Sequence, residues 1–274
     1  MSLYIFDLDG VIYRGERLLP GVKETLTKLR KRGDEVSFLT NNSTLSRSGF
    51  QKKLTQMGIE VNLEDLFPSS YLAAIYLSHK IKKKNTKVLV FGEEGLFEEL
   101  SQAGIKLTST SKDANYVVVG MDRKFNFEKL KLAYEAILNG AKFVATNKDV
   151  TYPTEEGTVP AAGAIVKALE VSTHKRALLL GKPHLFGLKT VMKSKGYTSA
   201  DTILVGDQLE TDILVGKRLK IVTVLVLSGI TLEKMLQKVP PSLKPDYVIQ
   251  SLLDLSSLKI GHDYKKLVSS TDIL

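Results

Sequence analysis

Short apolar runs alternate with longer amphipathic stretches from one end of this chain to the other, and that alternation limits its fold more than any other feature. Leu3–Phe6 reads as a buried strand that ends in acids. Residues 21–32 follow with apolar positions Val22, Leu26 and Leu29 at helical spacing, and Gly33 stops them. The same rhythm predicts strands at 36–39, 88–91, 116–119, 143–146, 178–180, 202–205 and 221–227. Helices are predicted at 46–57, 71–81, 94–103, 127–139, from 160–163 to about 170, at 186–195, and between the last two strands. Strands that alternate with helices predict an α/β fold, a parallel sheet with right-handed crossovers and helices on both faces. The chain has 274 residues, which at about 150 per domain is room for two. Pro240, Pro241 and Pro245 mark a late loop, and the polar stretch after Leu258 reads as weakly ordered.

Composition removes several chemistries. The chain has no cysteine, so disulfide frameworks, Cys-rich zinc sites, haem-thiolate chemistry and thiol nucleophiles are excluded. The longest apolar runs, such as 221–227, fall far short of the ~20 residues that a membrane helix needs. The first seven residues offer neither a basic region nor a long apolar one, which makes the cytoplasm the default location. A net charge of +9 admits nucleic acid, anionic lipid or small phosphorylated molecules as partners. Five lysines lie between Lys80 and Lys87, but no aromatic residue interleaves them, so a solvated helix end and loop is favoured over a nucleic-acid platform. The four histidines (His79, His174, His184 and His262) lack metal-ligand spacing, and His184 reads as structural or exposed.

Four strand ends carry unusual residues, and in open parallel sheets functional groups collect just beyond the carboxyl ends of strands. After the first strand, Asp7 and Asp9 stand one residue apart, and Gly10 lets the chain turn sharply. Ionised carboxylates this close repel, so the pair needs a cation, a shared proton or full solvation; an acidic turn capping the next helix is the plainer alternative. Thr40-Asn41-Asn42-Ser43 offers hydroxyl and amide donors for phosphate oxygens, or an ordinary turn and helix cap. Gly181-Lys182-Pro183 holds a lysine that either neutralises an anion or faces solvent. Asp207, Glu210 and Asp212 fall within six residues, an arrangement that suits a hard cation with oxygen ligands.

In this order the four segments resemble the motifs of the haloacid dehalogenase superfamily of phosphohydrolases. The closer likeness is to its NagD or p-nitrophenyl phosphatase-like branch, through residues 38–43, Thr146-Asn147 with Asp149, Gly181-Lys182-Pro183, Gly206-Asp207 with Thr211-Asp212, and residues 226–229. The resemblance runs from about residue 5 to residue 251. It implies a Rossmann-like core built from residues 1–80 and 178–274, with an α/β cap, residues 81–177, inserted between the second and third motifs. Lys148 stands where the branch more usually has Pro, and residues 160–163 are less glycine-rich than its pattern, which leaves the substrate open.

The resemblance also implies a Mg²⁺-dependent phosphatase. Asp7 would be the nucleophile that forms an aspartyl-phosphate, and Asp9 the acid and then the base. Lys182 would add positive charge, and Thr40, Asn41 and Asn42 would bind the phosphoryl group. Mg²⁺ would be held by Asp7, the backbone carbonyl of Asp9 and Asp207, with Asp212 orienting Lys182 or a metal-bound water. The cap would close over the leaving group, with residues 147–163 facing the core; Tyr152 would touch substrate or be a plain core or surface tyrosine. The implied substrate is a small phosphorylated metabolite: phosphoglycolate, a nucleoside monophosphate, a sugar phosphate or pyridoxal phosphate. The branch also allows a homodimer formed through the cap. Three rival readings stand beside this one. A glycosyltransferase with an Asp-x-Asp metal site leaves Lys182 and residues 207–212 unexplained. A non-catalytic phosphate-ligand or nucleic-acid binder would have kept every catalytic acid without using it. A phosphotransferase differs only in the group that accepts the phosphoryl.

Overall fold

The computed structural model describes residues 1–154 and 157–258, so the tail after Leu258 and His262 lie outside the described residues. The first strand, β1 (Leu3–Phe6), is buried along its whole length, and a two-residue hairpin of β2 (Tyr13–Arg14) and β3 (Arg17–Leu18) follows the acidic turn. Helix α1 (Val22–Lys31) buries Val22, Leu26 and Leu29, as its spacing predicts. Next come β4 (Glu35–Thr40), α2 (Arg47–Gln56), β5 (Leu66–Pro68) and α3 (Ser69–Lys80). Ser46 caps α2, its hydroxyl accepting the Gly49 N–H.

The chain then forms β6 (Val88–Phe91), α4 (Glu94–Gln102), β7 (Leu107–Thr108), β8 (Tyr116–Val119), α5 (Phe127–Leu138) and β9 (Lys142–Ala145). An antiparallel hairpin, β10 (Thr151–Thr154) and β11 (Gly157–Pro160), leads into α6 (Ala162–Thr173) and β12 (Leu178–Leu179). The last third holds α7 (Leu185–Lys195), β13 (Thr202–Gly206), a π-turn over Leu209–Ile213 that runs into α8 (Leu214–Arg218), β14 (Val222–Val226) and β15 (Tyr247–Ile249).

Two parallel sheets result. The first has the order β15-β14-β13-β1-β4-β5, and the second β12-β9-β8-β6-β7. Each is coated on both faces by apolar clusters, as buried parallel strands require. Helix α3 serves both sheets: Leu72 packs with the cluster of the first, while Ala73, Ala74 and Leu77 pack with the cluster of the second.

One expectation is corrected. The strand at 178–180, placed with the first unit on sequence, instead extends the second sheet, with Leu178 and Leu179 in parallel register with Val144 and Ala145. The ladder continues through the Leu180 and Gly181 N–H groups, which donate to the carbonyls of Ala145 and Thr146. The chain therefore leaves the second sheet at Gly181, directly before Lys182. Among the described residues no helix is long and apolar enough to cross a membrane.

Candidate active site

β1, β4 and β13 lie side by side and parallel, so the residues after their carboxyl ends meet. Asp7 prolongs β1, its N–H donating to the Val205 carbonyl at 2.9 Å, and its carboxylate is buried. Gly10 then turns at φ +80°; a Cβ there would stand 2.5 Å from Asp207 Oδ2, so the turn and the acid can share this space only without a side chain. Asp9 is half-buried, and its Oδ2 accepts the Tyr13 hydroxyl at 3.4 Å and Asn42 Nδ2 at 3.5 Å.

Lys182 is the centre of the cluster. Only 2% of it is exposed, and its Nζ lies 2.6 Å from Asp212 Oδ1 and 3.0 Å from Asp7 Oδ1. Burial works against its ammonium form, but the Asp212 and Asp7 carboxylates outweigh that and hold its pKa above the usual lysine range. Asp212 is fully buried, and its second oxygen accepts the Gln208 N–H and the Thr211 hydroxyl, so it is anchored to hold Lys182.

Asp207, after β13, has one oxygen satisfied: Oδ2 accepts the Ile230 N–H at 2.7 Å. Its Oδ1 is buried with no hydrogen-bond partner among the described residues. Burial and the Asp212 charge push its pKa up to about 7, and burial also raises Asp7 and Asp9 above the usual carboxylate range. Oxygens of Asp7, Asp207 and Asp212 lie within 4.8 Å of one another. Three buried acids around one lysine, one of them with a bare oxygen, form a donor set that a divalent oxygen-seeking cation fits. Asp7, Asp207 and Asp212 are the described acids whose oxygens come close enough together to hold such an ion.

The second expected loop is brought to the same place, with one difference. Thr40 is buried and its hydroxyl accepts the Asn42 N–H at 3.1 Å, while Asn42 Oδ1 caps Thr44. Asn41, expected to bind phosphate, has its side chain engaged within the protein: Oδ1 accepts the Lys182 N–H, and Nδ2 donates to the Lys182 carbonyl and to Asp149. Its side chain therefore organises the site instead of offering donors to a ligand. Asn147 and Asp149, which reach this loop from the end of β9, belong to a segment that carries the family resemblance and is expected to face the core, but neither is singled out on sequence as a site residue; the structure brings both to Asn41. Tyr13 gave no signal at all, since a buried tyrosine beside a turn looks like any core residue.

Tyr152 lies apart from the acids. It lines a cavity of about 660 Å³ between α5, α6 and the β10–β11 hairpin, with Met121, Arg123, Phe125 and Ile165; none of Asp7, Asp9, Lys182 and Asp207 lines it. His184 caps α7, its Nδ1 accepting the Phe186 N–H, as a structural histidine does. The lysines at 80, 82, 83 and 84 are exposed.

Comparison with known proteins agrees with this geometry. Residues 4–106 match a family model described as haloacid dehalogenase-like hydrolase, and residues 179–255 match a second HAD-like hydrolase model. Phosphoglycolate phosphatase 1A, chloroplastic, of Arabidopsis thaliana is 38% identical across 94% of this chain and 77% of its own length. The chain belongs to the haloacid dehalogenase-like hydrolases. Within them it falls on the NagD-like branch: the p-nitrophenyl phosphatase from Archaeoglobus fulgidus superposes with a TM-score of 0.87 at 36% identity, covering 94% of this chain and 99% of that one. The glycerol phosphate phosphatase from Mycobacterium tuberculosis, solved in complex with magnesium, superposes with a TM-score of 0.85 at 28% identity, covering 93% and 76%. The match to these phosphatases makes the chain an enzyme of their kind, a phosphoric monoester hydrolase.

Proposed function

We propose that this chain is a Mg²⁺-dependent phosphatase of small phosphomonoesters that works through an aspartyl-phosphate on Asp7. The observation that carries the reading is the buried Asp7–Lys182–Asp212 bridge beside the bare Asp207 Oδ1. A phosphate dianion approaching two carboxylates is repelled unless cations stand at the site. Lys182 supplies one charge, and Mg²⁺, when bound, would neutralise charge on the phosphoryl oxygens.

In the first step an Asp7 carboxylate oxygen attacks phosphorus in line, and the bond from phosphorus to the leaving oxygen breaks. Asp9, whose pKa burial raises above the usual carboxylate range, donates its proton to that oxygen. In the second step Asp9 takes a proton from water, which attacks the aspartyl-phosphate, releases inorganic phosphate and restores both carboxyl groups. Thr40 and Asn42 line the place where the phosphoryl group sits, and Lys182 holds Asp7 in position.

The second sheet is the cap in this reading. The Met121 N–H donates to the Ser43 hydroxyl, and Asn147 and Asp149 reach Asn41, so the cap overhangs the phosphate loop. Met121 also lines the cavity beside Tyr152 and Arg123, which makes that cavity the place to test for leaving-group selection. Relatives are named for phosphoglycolate, sugar phosphates and 5′-nucleotides, which sets the panel to try. The test is phosphate release from p-nitrophenyl phosphate and that panel, with and without Mg²⁺. Asp7→Asn is expected to abolish turnover while leaving the melting temperature close to that of the parent. Retained turnover in the purified variant would overturn the nucleophile assignment.

A further inference from the structure

Asn41 stands where the two units meet, and its carboxamide is read from two edges. On one, the Lys182 peptide donates its N–H to Oδ1 at 2.7 Å and accepts from Nδ2 through its carbonyl at 2.9 Å. On the other, Asp149 Oδ1 accepts from the same Nδ2 at 3.0 Å. An ionised carboxylate only accepts, so Asp149 and the Lys182 peptide demand the same orientation of an amide whose two ends are nearly alike in shape. The packing leaves no slack, since a Cβ on Gly181 would stand 2.5 Å from Asn41 Oδ1. The Asn41 main chain is held too: its carbonyl accepts from Asn147 Nδ2 and from the Ser69 hydroxyl. Asn147 and Asp149 both belong to the loop after β9, in the second unit, whereas the lysine they help to place serves the first.

We propose that Asp149 is a positioning residue for the phosphatase reaction: from the second unit it fixes the Asn41 carboxamide, which fixes the Lys182 main chain and so keeps Lys182 Nζ between Asp7 and Asp212. The inference rests on the phosphatase reading above. Its consequence is that seating of the second unit and placement of the site's buried cation are one event. A displaced second unit leaves Asn41 without its outer acceptor.

The experiment uses the full chain. Asp149→Ala is expected to lower kcat/KM for p-nitrophenyl phosphate by about 10- to 100-fold, the scale of one hydrogen bond to a charged group, with a fall in kcat as part of that loss. Asp149→Asn keeps an amide oxygen able to accept the same bond and is expected to recover kcat/KM to within about fivefold of the parent. In an Asn41→Ala background, adding Asp149→Ala is expected to cost less than about twofold, because the residue it acts through is gone. Where the alanine variant does not fold, Asp149→Ser, too short to reach Asn41, takes its place. Affinity for inorganic phosphate, measured by calorimetry, is expected to weaken about tenfold with Asp149→Ala and is readable without turnover. An unaltered kcat/KM and phosphate affinity in a folded Ala or Ser variant would overturn the proposal. So would an Asn variant as impaired as the Ala variant, or full additivity with Asn41→Ala. A parent chain that releases no phosphate sinks the phosphatase reading instead, and the phosphate affinities then decide the positioning role.

Discussion

Lys182→Met removes the ammonium and keeps most of the side chain's volume, so its cost measures charge more than packing. At 2.6 Å from Asp212 and 3.0 Å from Asp7, each contact is worth about 6 kcal/mol of attraction at an effective dielectric constant near 20. Desolvating the lysine offsets several kcal/mol of that total. The net loss on removing one partner of a buried pair is therefore about 3–5 kcal/mol, because two carboxylates are left buried without their cation. For a chain of this size that corresponds to a fall in melting temperature of about 6–20 °C.

The loss should also depend on pH. Without Lys182, burial and mutual repulsion hold the pKa values of Asp7 and Asp207 further above those of the unfolded chain. A carboxyl group whose folded pKa is raised costs stability above its unfolded pKa, and the cost grows as pH rises toward the folded value. The gap between variant and parent should thus be small near pH 4 and widest above pH 7, and Mg²⁺ should narrow it by restoring positive charge. The assay is thermal unfolding of both proteins from pH 4 to 8, with EDTA or with Mg²⁺, alongside turnover of p-nitrophenyl phosphate. A variant that melts within 2 °C of the parent at pH 8 in EDTA, on the order of 1 kcal/mol or less, would refute the account of the cluster as charges held together by one lysine.

Two further outcomes are expected. Asp207→Asn removes the charge beside the bare oxygen, so the Mg²⁺ concentration for half-maximal turnover should rise at least about tenfold; its melting temperature in EDTA should match or exceed the parent's, because a buried acid raised to about 7 no longer has to ionise. Asp149, pushed up from 3.8 to about 6 by burial, costs up to about 3 kcal/mol of stability once pH exceeds 6. Replacement by Asn abolishes that titration, so the melting temperature of the variant relative to the parent should climb between pH 4 and pH 7; a constant difference would contradict it.

The sequence was most informative where side-chain period and chain direction decide the structure. Helix α1 follows from Val22, Leu26 and Leu29, and β1 from four consecutive apolar residues, because burial on one stripe or on both faces leaves a pattern in the chain. The short strands escaped for the same reason. β5 is three residues ending in Pro68, and β15 follows a proline-rich loop; both are sheet edges, where neither length nor alternation accumulates. Leu178–Leu179 was legible as a strand but not as a member of the second sheet, since its partner Val144–Ala145 lies more than thirty residues away. Site residues followed the same division. The acids and Lys182 announce themselves because charged groups at strand ends are unusual. The engagement of Asn41 with Lys182 and Asp149 depends on contacts between residues more than a hundred positions apart.

That long-range contact also explains why the site can be built from a discontinuous chain. Asp7 and Asp207 are set by neighbouring strands of one sheet, and the β1–β13 register alone brings them together. Lys182 has no such support: it follows β12, the edge strand of the other sheet, so its position is inherited from the second unit unless something ties it back. The tie is the pair of hydrogen bonds between the Asn41 carboxamide and the Lys182 peptide, made by the residue directly after β4 of the first sheet. A buried ammonium displaced by even an ångström would leave Asp7 and Asp212 facing each other without it, at a cost of several kcal/mol. The hydrogen bonds of Asn41 and the ion pairs of Lys182 therefore meet at the junction of the two sheets. Substitutions that loosen the contacts of residues 41–47 with the second unit, such as those from Arg47 to the buried Glu99, act on Lys182 without touching it.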